Sequence, residues 1–279
     1  MVAVHSLRQR SVIPGFGLTL GITLSYLGLI VIIPLCVLFL EASDAGLAKF
    51  WTEVTAPRTL AAFRVSFGIA FLAAFINAIF GFIVAWVLVR YRFAGRRFVD
   101  SLIDLPFALP TAVAGIALTS LYSAHGWLGA PLAAAGFKVA FTPLGILIAL
   151  VFVGLPFVVR TVEPVLLDFE RELEESAAML GASRAHILWR VVFPPILPAL
   201  MTGFTLAFAR AIGEYGSVIF IAGNIPGYSE IIPLLIVIKL EQFDYAGATV
   251  IATLMLVVSF VLLFAINVLQ AWTRRRQGG

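Results

Sequence analysis

Arg210 and Glu214 stand four residues apart inside an apolar run, residues 197 to 222, where an ionisable side chain is costly. Four residues is about one helical turn, so a helix places both on one face. There they either neutralise each other as an ion pair that fixes helix geometry or line a polar path through the protein. Donors suited to the same path are Thr111, Thr119 and Ser120 in one apolar run and Asn77 in another. Hydrogen bonding between helices is the competing use of each. Nothing comparable exists for covalent or hydrolytic chemistry. The chain has no G-x-x-x-x-G-K-[ST] phosphate loop and no G-x-S-x-G, H-E-x-x-H or C-x-x-C arrangement. His5, His125 and His186 are scattered, and Cys36 has no second cysteine to bridge. These features predict a non-enzymatic chain with no catalytic and no metal site.

The second polar constellation lies outside the apolar runs. Glu163, Asp168, Glu170, Glu172, Glu174 and Glu175 are mixed with Arg171, Arg184 and Arg190, and Glu175 to Pro194 reads ESAAMLGASRAHILWRVVFP. Leu173, Ala177 and Leu180 recur at helical spacing, and Gly181 falls where a helix would end in a left-handed cap. Ser183 can cap a second helix whose apolar side carries Ile187, Leu188, Val191 and Val192, with Pro194 and Pro195 expected to interrupt it. Helices this short are marginal in water and need a surface to dock on. A helix lying on lipid headgroups favours Lys and Arg on its polar face. Six acids favour a protein partner instead.

What must position these residues is a membrane bundle. The chain is 61% hydrophobic and 12% charged, against about 25% charged in soluble domains, and its mean hydropathy is +1.05. Runs near 15–39, 65–89, 101–123, 142–162, 197–222 and 245–271 are each long enough to cross a bilayer, which needs roughly 20 apolar residues. This predicts an all-α integral membrane protein with six transmembrane helices. Arg8, Arg10, Arg90, Arg92, Arg96, Arg97, Arg160, Arg171, Arg184, Arg190 and Arg274 to Arg276 fall on one side, and only Lys49, Arg58, Arg64, Lys138 and Lys239 on the other. Basic flanks stay inside, so both termini are expected to be cytoplasmic. The same distribution explains the pI near 9.5 without nucleic acid.

Within the spans, Ala199, Gly203, Ala207 and Ala211 form a small-residue stripe for close helix approach, either within the chain or to another subunit. Pro106 and Pro110 break the third span's hydrogen-bond ladder, predicting a kink that could gate a path. On the external side, Gly223, Asn224, Pro226 and Gly227 form one turn-rich loop, and Gly126, Trp127 and Gly129 mark another.

The spacing of Glu175, Ala177, Gly181 and Pro194 resembles the EAA-x3-G-x9-I-x-LP motif of membrane subunits of bacterial binding-protein-dependent ABC importers. Ser176, Val191 and Phe193 are its departures. Longer blocks, RYRFAGR (90–96), DLPFALPTAVAG (104–115), PFVVRTVEPVL (156–166) and GEYGSVIFIAGNI (213–225), resemble the T-type permease subunits of sulfate/thiosulfate importers. The resemblance implies a type I ABC importer permease fold in the bacterial cytoplasmic (inner) membrane. It implies a cytoplasmic coupling helix built on Glu175, Ser176, Ala177, Gly181, Ala182, Ser183, Arg184 and Pro194. It also divides the chain into 1–58 (first helix and external loop), 59–271 (transmembrane domain) and 272–279 (basic tail).

The implied partners are a related W-type permease chain in a heterodimer, two copies of a cytoplasmic ATPase that bind ATP and Mg, and a periplasmic sulfate- or thiosulfate-binding protein. Membrane lipid surrounds the chain, which itself holds no cofactor. For a dianion, one partly compensated Arg with hydroxyl donors is a workable path, because several full positive charges would trap it. Molybdate and tungstate permeases share much of the pattern and form the alternative within the class. An ion-coupled secondary transporter is the alternative outside it, expected to show a chain of membrane carboxylates, whereas only Glu214 lies deep.

Overall fold

The structure is a computed structural model that describes residues 16–277; Arg8 and Arg10, used above for orientation, lie outside them. Every regular element among the described residues is helical. In chain order they are α1 Phe16–Leu27, joined through a π-helical turn (Gly28–Ile32) to α2 Ile33–Asp44, then α3 Leu47–Thr55, α4 Pro57–Arg90, α5 Arg96–Ile103, α6 Leu105–Ala108, α7 Thr111–Tyr122 and α8 Gly129–Ala134. There follow α9 Pro143–Asp168, α10 Arg171–Met179, α11 Arg184–Ile187, a second π-helical turn (Leu188–Val192), α12 Phe193–Ile212, α13 Val218–Ile221, α14 Ile232–Glu241 and α15 Tyr245–Gln277. Five stretches are long and apolar enough to cross a membrane: Phe16–Asp44, Pro57–Arg90, Pro143–Asp168, Arg184–Ile212 and Tyr245–Val268.

The core is the three-helix contact of α4, α9 and α12. In lipid, helices gain nothing from hiding one apolar face from another, so they associate where small residues let backbones approach. Here α4 supplies the buried Ala70, Ala73, Ala74 and Ala85, and α9 supplies Val158, Val159 and Val162. A Cβ at Gly203 would stand 2.4 Å from Thr161 Oγ1 and 2.9 Å from Val158 Cα, and one at Gly81 would stand 2.7 Å from Val158. Gly203, Ala207 and Ala211 are buried, and the stripe on α12 therefore packs within the chain against α9. The helix Phe16–Asp44 lies at the periphery, with Ala42 its only buried residue.

Three expectations are corrected. The run 101–123 is three pieces, because Asp104 separates α5 from α6 and extended backbone at Leu109 (φ −85°, ψ 134°) separates α6 from α7. A residue before proline is pushed out of the helical region, and Leu109 precedes Pro110, so the expected kink is a complete break. The run 197–222 is also interrupted, its helix ending at Ile212 ahead of Gly213. Pro194 and Pro195, in contrast, do not end their helix, since Arg184–Ile212 is continuous. The preceding turn widens to π geometry, with the Phe193 N–H donating to the Leu188 carbonyl, which accommodates two residues that lack an N–H. The same device precedes Pro34, where Ile33 N–H donates to the Gly28 carbonyl. The last helix, α15, runs to Gln277.

Candidate functional site

At the arginine-rich end, α9 leads into α10 across Phe169 and Glu170. Glu172 and Glu174 in the first turn of α10 complement the positive end of its dipole. The helix closes in a Schellman turn: Ala182 N–H donates to the Ala177 carbonyl (3.1 Å) and Gly181 N–H to the Ala178 carbonyl (3.0 Å). Gly181 has φ +83°. The four-residue step from Ala177 to Gly181 is therefore the step from the accepting carbonyl to the left-handed residue. Ser183 caps the next helix, its Oγ accepting from His186 N–H at 3.3 Å.

The two short helices use their apolar residues differently from the expectation. Ile187, Leu188 and Val192 pack into the chain's own core, so the second helix needs no foreign surface for that face. On the first, Ala177 is half-buried while Leu173 is exposed. Met179 and Leu180 at the turn are 87% and 90% exposed. Around them Glu175, Ser176, Gly181, Ser183 and Arg184 are exposed, and Ala182 and Pro194 are half-buried. The open surface is thus an apolar knob on a rigid turn with charged flanks.

Ion pairs tie this segment to the bundle. Arg90, at the end of α4 and 9% exposed in its side chain, pairs with Glu174 of α10. Its guanidinium lies 5.4 Å from the Trp86 ring centre and 5.9 Å from that of Phe169. Beside the pair is a 610 Å³ groove lined by Phe82, Trp86, Tyr91, Glu175, Arg184 and Leu188, among others. A second node is Arg160 on α9, which grips Asp104 with both ends of its fork (2.8 and 2.6 Å) and donates to Glu163 (2.6 Å). It also pairs with Asp100 at 2.8 Å. Arg160 thereby holds α5 and the Pro106 corner on α9.

Deeper in the chain, Arg210 in the last turn of α12 pairs with Glu214, whose side chain is 1% exposed against 35% for Arg210. Glu214 Oε1 also accepts from the Ser217 N–H and the Ser217 hydroxyl, both at 2.8 Å. One carboxylate thus compensates Arg210 and satisfies backbone where the helix is broken. Non-helical backbone in a membrane must be covered by protein, and α7 supplies the cover. A Cβ at Gly115 would stand 2.4 Å from the Ser217 carbonyl oxygen, and one at Gly216 2.2 Å from Thr111 Oγ1. Thr111 therefore joins the Arg210–Glu214 region through Gly216. Asn77 is 1% exposed and faces Gly154 of α9, where a Cβ would stand 2.4 Å from its Nδ2. Neither polar atom of its amide has a hydrogen-bond partner. Ser120 is exposed near the far end of α7, and Thr119 spends its hydroxyl on the Gly115 carbonyl (2.7 Å).

At the opposite face the sequence reading missed three carboxylates. Glu230, 1% exposed, takes a bidentate grip from Arg58 at 2.8 and 2.6 Å. Asp244 pairs with Lys49 (2.5 Å) and Lys239 (2.9 Å), and Lys239 pairs with Glu53 (2.7 Å). Each missed acid has a basic partner far away in sequence, so the residue alone names a candidate without that partner. Hydrogen bonds from Lys49 and then Lys239 hold the Asp244 carboxyl well below the usual carboxylate range, against the opposing pull of burial. Burial disfavours the charged form of Lys239, but hydrogen bonds to Glu53 and Asp244 outweigh it and raise its pKa.

The model of the family described as binding-protein-dependent transport system inner membrane component matches residues 77–278. The chain is 52% identical to the sulfate transport system permease protein CysT of Synechococcus elongatus, over 91% of each chain. It is 47% identical to the CysT protein of Escherichia coli (strain K12) over the full length of both. Its fold matches a solved chain of a bacterial ABC transporter that imports the acidic polysaccharide alginate, with TM-score 0.75, 16% identity and coverage of 92% of this chain and 94% of that one. This chain belongs to the binding-protein-dependent transport system inner membrane component family. It has the type I ABC importer permease fold and is a multi-pass protein of the inner membrane.

Proposed function

We infer that this member of the family is the membrane-spanning permease subunit of an ATP-driven sulfate and thiosulfate importer. The observation that carries the class is the Glu175–Pro194 segment, whose capped turn leaves Met179 and Leu180 exposed. A knob of that kind is what a cleft in an ATPase subunit can seat. Sulfate is supported by the names of relatives 47–52% identical over at least 91% of the chain. In this reading six spans cross the membrane, the third being the short α7 with α5 and α6, and both termini are cytoplasmic. A W-type permease chain completes the path, two ATPase subunits hold ATP and Mg, and a periplasmic sulfate- or thiosulfate-binding protein delivers the anion to the Arg58–Glu230 face. The anion's route passes Arg210, Thr111, Ser120 and Asn77, with the Pro106–Pro110 corner as gate. Hydrolysis belongs to the partner, and domain limits at 58 and 271 separate the first helix and tail from the transmembrane domain.

The test is uptake of labelled sulfate in cells expressing the full complex. Uptake should require the ATPase and stop with a hydrolysis-dead ATPase. Persistence with that dead partner would point to an ion-coupled carrier and sink the importer reading. Thiosulfate should compete strongly. Molybdate competing better than unlabelled sulfate would move the substrate to the larger oxyanions.

A further inference from the structure

We propose that the Arg90–Glu174 pair, enclosed by Trp86 and Phe169, is the pin that ties α10 to the α4–α9 half of the bundle. Through it a push on the coupling turn reaches α4 and α9. The other half of the bundle, α12, is reached by a different route, because α11 is its own continuous extension. The proposal rests on the reading of this chain as an ATPase-coupled permease.

Little within α10 itself holds it in place. It is nine residues long, none of them buried, and a helix that short has little stability of its own. Its large apolar side chains, Leu173 and Met179, point outward. The helix lies against α11 and the second π-helical turn, and its enclosed tie to α4 is Glu174, whose side chain is 25% exposed, on an Arg90 that is 9% exposed. Four residues from three places meet at this one charge: Trp86 and Arg90 in the last turns of α4, Phe169 directly after α9, and Glu174 on α10. A guanidinium suits the position because its flat face can lie over rings while its edge meets a carboxylate; an ammonium would keep the charge and lose that geometry. Gly181 lies between the two routes, at φ +83° with nothing within 4 Å of a Cβ built on it. The ATPase contact therefore sits at a joint, with one arm pinned by Arg90 and the other fused to α12.

The experiment uses the complete complex in lipid nanodiscs and liposomes, with Cys36→Ser and spin labels at the exposed positions Ala94 and Leu173. The parent should give one narrow distance distribution. Glu174→Gln and Arg90→Gln should broaden it and lower sulfate uptake about tenfold or more, while ATP hydrolysis persists. Arg90→Lys should fall between, and the exchanged pair Arg90→Glu with Glu174→Arg should give a narrower distribution than Glu174→Gln or Arg90→Gln, which a generally weakened fold would not do. An unchanged distribution in Glu174→Gln, or a broadened one with uptake within twofold of the parent, would overturn the proposal. If the parent complex showed no ATP-dependent uptake, the functional reading would fall, while the label distances would still decide whether the pin exists.

Discussion

At Gly181 the constraint is on the backbone alone, since a side chain there would have open space around it. A left-handed conformation costs an ordinary L-residue about 1–2 kcal/mol, and Asn and Asp tolerate it best. Gly181→Asn should therefore keep most sulfate uptake and Gly181→Val should lose about tenfold, with both proteins present in the membrane at parental levels by immunoblot. Gly181→Asp shares the tolerance of Asn but adds a charge beside the Met179–Leu180 knob. Uptake with Asp well below Asn would locate the loss at the docking surface, and equal uptake with Val and Asn would show that the turn is not needed. This residue was legible in the sequence because a Schellman turn is local, closed by bonds from Gly181 and Ala182 to Ala178 and Ala177. Arg90 was not, since its partner lies 84 residues away and arginines at the cytoplasmic end of a span are the ordinary signature of topology.

Among the elements, periodicity and composition located the spans but not their breaks. A hydropathy run treats residues 101–123 as one segment, whereas the backbone turns extended at Leu109, a position that the following Pro110 biases away from helix. The reverse error concerned Pro194 and Pro195, read as a stop, where the turn ahead of them widens and the helix goes on. That turn holds one more residue than an α-helical one, so it sets the angle between α11 and α12. Replacing both prolines with Ala removes the reason for the wide turn. Closing it to α geometry would rotate α11 against α12 by about 100°, one residue's worth of a 3.6-residue turn. Half-buried Ile187 would then swing outward. A cysteine at position 187 should react with a water-soluble maleimide at least several-fold faster in the Pro194→Ala, Pro195→Ala background, and uptake should fall while ATP hydrolysis continues. Equal labelling in both backgrounds would mean that the wide turn is held by its neighbours rather than by the prolines.

Across the whole molecule, charge is gathered at the two ends of an apolar bundle, and each cluster joins elements distant in sequence. Lys49 with Asp244 and Lys239 with Glu53 fasten α3 to the α14–α15 corner, on the face that the proposed orientation puts outside. The direction of the shifts fixes the dependence. Asp244 is held below its ordinary range, so its contribution is present above the unfolded carboxylate pKa of about 3.9 and fades as pH falls below that toward the folded value. Lys239 is raised, so its contribution is complete below about 10.4 and is lost as pH climbs through the folded value. Asp244→Asn keeps an oxygen for the Gly247 N–H, which Asp244 accepts at 3.1 Å, and so removes charge while leaving a cap available. With about 1 kcal/mol for the lost pairs, the variant should melt about 2–4 °C below the parent in detergent at pH 6–8. That gap should narrow progressively below about pH 4, as the parent loses what the variant never had. A gap that held constant down to pH 3 would mean that Asp244 stabilises the corner through its shape, and that the ion pairs contribute nothing measurable there.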